Sequence, residues 1–296
     1  MFYGQHMFPS RFSETVLSNP LAADCLVPMG ITSENVAARY GVTRKDQDAF
    51  GAESMQKAVK ALKAGLFKDE ILPIKVKWTD PKTKQEKEIL VDHDDGIREG
   101  VTPEVLAKLK PSFKPDGTTT AGTASQVSDG AAAVLLARRS VAKKLNLPII
   151  GKFAAAVAVG VPPDIMGVGP AFAIPKVLER TGLRIEDIDL FEINEAFASQ
   201  AVYCVRELKI DPKRVNPQGG AIGIGHPLGC SKCCFLLSFF CGWIGWVNNF
   251  YLFSAGARQI VTGLARTKKT GEKIFVTSMC IGSGMGMASV VINEQN

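Results

Sequence analysis

A chain of 296 residues that is 46% hydrophobic and 22% charged can bury a full core, which excludes a disordered or fibrous chain and sets a prior of about two domains. The net charge of +6 and pI near 8.9 are mild, and the lysines are spread along helical patterns, so no nucleic-acid partner is expected. Seven cysteines without a secretory signal pattern at Met1 read as free thiols of a reducing compartment, not as a disulfide framework.

The first twenty residues read as irregular. Thr43-Arg44-Lys45-Asp46 has the form of a capping box and precedes helical periodicity over 50–66. Residues 73–91 read as a charged, hairpin-like excursion. A short helix is expected at 101–109, a buried strand at 131–136 and a helix at 141–145. After Pro148 the alternation is more regular: strand 149–159, helix 171–179, strand 188–193, helix 196–208, a loop, helix 258–267, strand 274–280 and strand 287–292. Alternating strands and helices imply a layered α/β fold.

Three segments carry groups suited to acyl chemistry. Thr277-Ser278-Met279-Cys280-Ile281-Gly282-Ser283-Gly284-Met285-Gly286 ends an apolar strand pattern in a thiol and then turns through glycines. Such a turn lets a substrate approach the backbone and frees N–H groups to face developing negative charge. A buried free Cys before a Gly-rich turn is equally a core feature. Asn216-Pro217-Gln218-Gly219-Gly220-Ala221-Ile222-Gly223-Ile224-Gly225-His226-Pro227-Leu228-Gly229 places one of three histidines in a glycine-dense loop. Glu192-Ile193-Asn194-Glu195-Ala196-Phe197-Ala198 places an Asn between a strand pattern and a helix pattern. A lone His or a lone Asn at a helix start is usually structural. Here a thiol that can move protons, an imidazole and an amide all stand at element junctions.

These three segments, in this order, resemble the C-terminal half of thiolases, and the peroxisomal 3-ketoacyl-CoA branch in particular. The resemblance extends over Asp24-Cys25-Leu26-Val27-Pro28-Met29-Gly30-Ile31-Thr32, Ala107-Lys108-Leu109-Lys110-Pro111-Ser112-Phe113, Ser128-Asp129-Gly130-Ala131-Ala132-Ala133 and Gly160-Val161-Pro162-Pro163-Asp164-Ile165-Met166-Gly167. It implies a layered thiolase-like α/β fold with an incomplete N-terminal half-domain over 1–147 and a C-terminal half-domain over 148–296. The implied activity is cleavage of a 3-ketoacyl-CoA by CoA to acetyl-CoA and a shortened acyl-CoA, in fatty-acid β-oxidation. CoA enters as co-substrate, with no bound cofactor and no metal, and the complete protein is expected to be a peroxisomal homodimer.

Carried onto this chain, the resemblance makes Cys280 the acid/base and His226 the activator of a nucleophilic cysteine. It makes Asn194 the holder of an oxyanion-site water and the Gly282 N–H part of a second oxyanion hole. Met166 and Phe197 match acyl-pocket positions, for which plain core packing is the competing reading. Arg98 matches an arginine that contacts the CoA nucleotide. The nucleophilic cysteine itself lies in a motif upstream of Met1, and Cys25, Cys204 and Cys230 do not match it. Thr123 stands where the family has Asn, and Ala155 where a Ser is common.

One block departs altogether. Residues 233–253 are uncharged and mostly apolar, long enough to span a membrane at about 20 residues. The thiolase pattern instead runs from Cys230 almost directly into Gly256-Ala257-Arg258-Gln259. Ser231-Lys232 can be written AGT-AAG, which contains the splice donor GTAAG. Phe253-Ser254-Ala255 can be written TTT-TCA-GCN, which contains the acceptor TTTTCAG. Splicing between them leaves Cys230, a threonine codon and Gly256, which is the family pattern. A retained intron over 232–255 is therefore expected, and a membrane segment is not. The alternatives in other classes are a non-catalytic acyl-CoA-binding or interaction subunit and a protein anchored in a membrane by the block.

Overall fold

The computed structural model describes residues 12–227 and 254–295, with the side chains of 254 and 255 excepted. Residues 1–11, residue 296 and the stretch 228–253, which holds nearly all of the uncharged block, lie outside the described residues. Among the described residues no helix is long and apolar enough to cross a membrane.

Where an irregular start was expected, two short helices form, α1 (Glu14–Ser18) and α2 (Pro20–Asp24). Ser13 accepts from the Val16 N–H, and Asn19 accepts from Leu21 and Ala22 with Pro20 at the first helical position. Caps of this kind close a single turn without an apolar stripe. Helix α3 (Met29–Tyr40) went unassigned because polar residues fill its inner face. Ser33 Oγ lies 2.7 Å from both Thr119 Oγ1 and Ser199 Oγ, and the buried Glu34 accepts the Thr118 and Thr119 N–H groups at 2.9 Å.

Helix α4 (Arg44–Lys63) begins at the expected capping box. Asp46 also takes Arg206, and that hydrogen bond, outweighing a small desolvation cost, holds its carboxyl at about 2. Strands β1 (Ile74–Thr79) and β2 (Glu86–Val91) form the anticipated hairpin, with Lys87 Nζ over the Trp78 ring at 4.7 Å. Short helices α5 (Pro103–Leu106) and α6 (Arg139–Lys144) follow.

The strand expected at 131–136 is a correction. That segment has no regular structure, and Leu135 and Leu136 are 66% and 62% exposed. Its apolar sequence suits a strand, but a strand holds only when neighbours take its N–H and C=O groups, and none among the described residues does.

The remaining strands build one sheet in the order β3 (Gly151–Gly160), β6 (Met285–Asn293), β5 (Ile274–Ile281), β4 (Leu190–Ile193). Strand β6 runs antiparallel to both of its neighbours, β3 and β5, and β4 runs parallel to β5. Helix α7 (Gly169–Thr181) covers one face with Ala173, Ile174, Val177 and Leu178 against Phe191, Ile193, Val276 and Val290. The last helix of the chain, Ser254–Thr270, covers the other with Ile260 and Leu264 against Leu190, Phe275 and Val291. Residues alternate between the two faces, and both faces are buried, so β4 and β5 read as continuous apolar runs. Between β4 and that last helix lie α8 (Ala198–Glu207) and the single turn α9 (Ala221–Ile224); the last helix is therefore α10.

Glu192 is the anomaly in this core. It sits in the centre of β4, is 5% exposed, and its Oε1 has no partner among the described residues. Loss of hydration, with repulsion from Glu70 and Glu195 only partly offset by Arg266 and Arg258, lifts its carboxyl to about 8. A group whose folded pKa lies above its unfolded value supports the fold below the unfolded value and withdraws that support as pH rises through the folded one. Stability of the chain is therefore expected to fall by on the order of a few kcal/mol between pH 5 and 9, with much of that slope absent in Glu192→Gln. Urea midpoints across this range check it; parallel slopes in the two proteins would remove Glu192 as the cause.

Candidate active site

Strand β4 ends at Ile193, and the chain turns through Asn194-Glu195-Ala196-Phe197 into α8. This turn is held from three sides. The Asn194 N–H continues the parallel ladder to Ser278 O at 2.9 Å, and Gln200 Nε2 donates to Asn194 O at 3.0 Å. The Asn216 side chain pairs with Ile193 as a strand would, accepting its N–H at 2.8 Å and donating to its C=O at 2.7 Å. Segment 123–126 runs alongside: Ala198 N donates to Thr123 O at 2.8 Å and Ser125 N to Ala196 O at 3.0 Å. Thr123, one of the two departures from the thiolase pattern, closes its own turn by accepting the Thr120 N–H at 2.8 Å. The other, Ala155, lies beside a register shift in β3, partly buried against the core.

His226 is fixed by the same segment. Its N–H donates to Gln126 O at 2.7 Å and its C=O accepts from Ser128 N at 3.3 Å, a short parallel bridge with Val127. This places the imidazole Nε2 3.3 Å from Asn194 Nδ2. With the amide nitrogen as donor, Nε2 accepts, which leaves the proton on Nδ1, buried with no partner among the described residues. Burial lowers the imidazole to about 4, so the ring is neutral at physiological pH.

Cys280 stands on β5, two residues beyond the Ser278 carbonyl that anchors Asn194, and pairs across to Gly286 of β6. Burial pushes its thiol up to about 11. Gly282 is exposed in the turn that follows, where a Cβ would meet nothing within 4 Å. Gly284 has φ +90°, and its C=O accepts from Val161 N at 2.9 Å; a Cβ there would overlap Val161 O. The turn that follows the thiol is thus pinned at its far end and open at Gly282.

The structure therefore joins Asn194 and His226 directly and sets Cys280 on the adjacent strand. Met166 lies buried in the 3-10 segment Pro163–Val168, which packs against β5 and β6. Phe197 is the partly buried N-cap of α8, edge-on to Phe113 at 6.0 Å. Arg98 is not joined to these groups. It is exposed and lines a cavity of about 520 Å³ over α4 with Gln56, Lys60 and Lys63.

Sequence reasoning missed the residues that hold the site. Glu195, 1% exposed, accepts from Ser54 Oγ of α4 at 2.6 Å, Asn216 Nδ2 at 2.7 Å and Ile222 N at 3.2 Å. Gly220 is small for this reason, since a Cβ there would overlap the Glu195 carboxyl. A carboxylate beside Asn194 in an apolar stretch was the available signal. Gln259 carried none, because a single Gln in a helix pattern reads as a surface residue.

Comparison with known proteins supplies the family. A family model of the thiolase N-terminal domain matches residues 7–140, and one of the thiolase C-terminal domain matches residues 147–240. The peroxisomal 3-ketoacyl-CoA thiolase of Yarrowia lipolytica is 55% identical over 283 residues, 96% of this chain and 62% of the relative. The human peroxisomal enzyme is 50% identical over 95% of this chain and 61% of its own length. The dimeric peroxisomal thiolase of Saccharomyces cerevisiae superposes with a TM-score of 0.79 at 52% identity, covering 95% of this chain and 63% of that one. The acetyl-CoA acetyltransferase of Bacillus anthracis also gives 0.79, at 34% identity, with 99% and 68% covered. The chain thus spans just over three-fifths of the length of these curated relatives. By sequence, by fold and by the order of its site segments, this chain belongs to the thiolase family.

Proposed function

We propose that this chain carries the acid/base half of a thiolase site, acting on 3-ketoacyl-CoA and CoA in fatty-acid β-oxidation. The observation that carries the reading is the 3.3 Å contact of Asn194 with His226, one strand away from Cys280. A thiol held near 11 is protonated at neutral pH, so Cys280 enters as an acid. It gives its proton to the acetyl-CoA enolate released when the 3-ketoacyl bond breaks, and as thiolate it then takes the proton of incoming CoA. A neutral imidazole can accept the proton of an acyl-carrying thiol. Asn194 orients a water with His226 at the thioester oxygen, and the open Gly282 N–H faces the enolate oxygen. Met166 and Phe197 line the acyl chain, and Arg98 faces the CoA phosphates, with Lys60 beside it and Lys63 paired with Glu99 at 2.9 Å.

The acyl-carrying thiol is not among Cys25, Cys204 and Cys280. Burial drives the Cys204 thiol far above its ordinary value, which disables it as a nucleophile. Cys25 is exposed, and its Sγ lies 3.8 Å from Ser283 O. The division at 147/148 into two thiolase half-domains belongs to the same reading, and so do a homodimer and a peroxisomal location, which the dimeric yeast structure and the names of the relatives support. The segment 232–255 is read as intron-derived; transcripts that carry its codons in the majority would overturn that.

Two outcomes test the chemistry. The chain as written should exchange the methyl protons of acetyl-CoA with D₂O through Cys280, and should not thiolyse acetoacetyl-CoA. NMR and mass spectrometry of the acetyl group read the first, and exchange as fast in Cys280→Ala as in the unmutated chain removes Cys280 as base. Thiolysis clearly above a Cys280→Ala control would make Cys280 or another thiol of this chain the nucleophile. In the complete protein, with the acyl-carrying thiol present and the block removed, His226→Ala and Cys280→Ala should each lower kcat by at least ~10². Asn194→Ala should lower it less, because it acts through a water. Steady-state rates with acetoacetyl-CoA decide, and unchanged kcat in the His226 and Cys280 variants would make both residues structural.

A further inference from the structure

Gln259 lies in the first turns of α10, is 7% exposed, and directs its amide nitrogen into the seam between β4 and β5. Its Nε2 lies 2.8 Å from Glu192 O and 3.1 Å from Ser278 O. An amide nitrogen has two hydrogens, and both are used, one on each strand. Ser278 O also accepts the Asn194 N–H at 2.9 Å, so one carbonyl ties the site Asn and the Gln259 amide to the same point. Glu192 stands two residues before Asn194, and Ser278 two residues before Cys280. With a repeat of two residues along a strand, the clamp lies one full period below both site residues.

The other end of the side chain argues against a purely stabilising role. Gln259 Oε1 is buried with no partner among the described residues. A buried amide with an orphan oxygen is costly, and an apolar chain of the same length would avoid that cost while taking its donor from Glu192 O and leaving Ser278 O with the Asn194 N–H. What the amide supplies and a methionine cannot is the fixed separation of two strand ends.

We propose that Gln259 is a positioning residue, a side-chain rung between β4 and β5 that sets the distance and enclosure of Cys280 relative to Asn194. The proposal rests on the reading of Cys280 and Asn194 as one site, but its test is independent of CoA binding and turnover. Removing the rung lets the C-terminal end of β5 part from β4 and admits water to the Cys280 thiol, which burial now holds high.

The experiment is peptide-resolved alkylation of the full chain by iodoacetamide across pH 7–11, with the exposed Cys25 as internal reference. Gln259→Met should raise the Cys280-to-Cys25 rate ratio at pH 8 by about tenfold, the change in thiolate fraction for a fall of one pKa unit. Ile260→Val, a core change on the neighbouring residue, should leave the ratio unchanged at a comparable loss of melting temperature. An unchanged ratio in Gln259→Met overturns the proposal, and so does an equal rise in Ile260→Val. If Gln259→Met does not fold, the unmutated chain still decides by NMR. The Gln259 side-chain amide protons should then exchange with solvent at least tenfold more slowly than those of the exposed Gln85, and equal rates would overturn the clamp.

Discussion

The buried carboxyl of Glu195 is the constraint on which the arrangement of the site depends. It follows Asn194 directly and takes donors from three separate segments: Ser54 of α4, Asn216, and the Ile222 N–H at the start of α9. Ser54 passes the contact on, accepting the Gly220 N–H at 3.1 Å. One side chain therefore fixes the turn that carries Asn194 and the loop that leads to His226 against the same helix. Burial raises this carboxyl above the ordinary carboxylate range, and the three donors, with the Lys57 charge nearby, pull it part of the way back. A buried acceptor with its partners in place costs little, and with one partner removed it costs much more. The site is thus held by a network that tolerates little variation in any of its members.

The chemistry of the pair Cys280 and His226 follows from that enclosure. Both side chains are only partly exposed, and burial pushes each toward its neutral form, the thiol upward and the imidazole downward. A protonated thiol and a neutral imidazole are complementary resting states for the proposed reaction, which first needs an acid for a carbanion and a base for a thiol. No charged side chain has to stand beside either group to create them. The sheet supplies the rest. Cys280 and Asn194 project from the ends of two paired strands, at the edge where α/β sheets commonly hold ligands.

How much of this was legible follows the nature of each signal. The strands and helices after Pro148 were readable because two-sided burial writes apolar runs, and the observed bounds differ from the expected ones by a few residues at the ends. The capping box at Thr43 was readable because it is a local exchange of hydrogen bonds. Helix α3 was not, since its inner face is bonded through Ser33 and Glu34 rather than packed through leucines. The strand expected at 131–136 failed for the opposite reason: its composition suits a strand, while pairing is a property of neighbours. Asn194, His226 and Cys280 stood out by residue type at element junctions. Glu195, Asn216 and Gln259 did not, because their role lies in contacts between residues up to 141 positions apart, such as Ser54 with Glu195.

The uncharged block enters between two elements that are anchored independently of each other. On its near side, His226 is tied to Gln126 and Val127, and α9 is tied through Ile222 to Glu195. On its far side, α10 is seated by Ile260 and Leu264 in the core and by Gln259 on the seam of the sheet. None of these contacts depends on the length of chain between residues 227 and 254. Closing a longer flexible connection adds only about 0.6 kcal/mol for each doubling of its length. The entropy of connection therefore weighs little in how the two sides are held. The anchors on either side of the block are thus made by residues outside it.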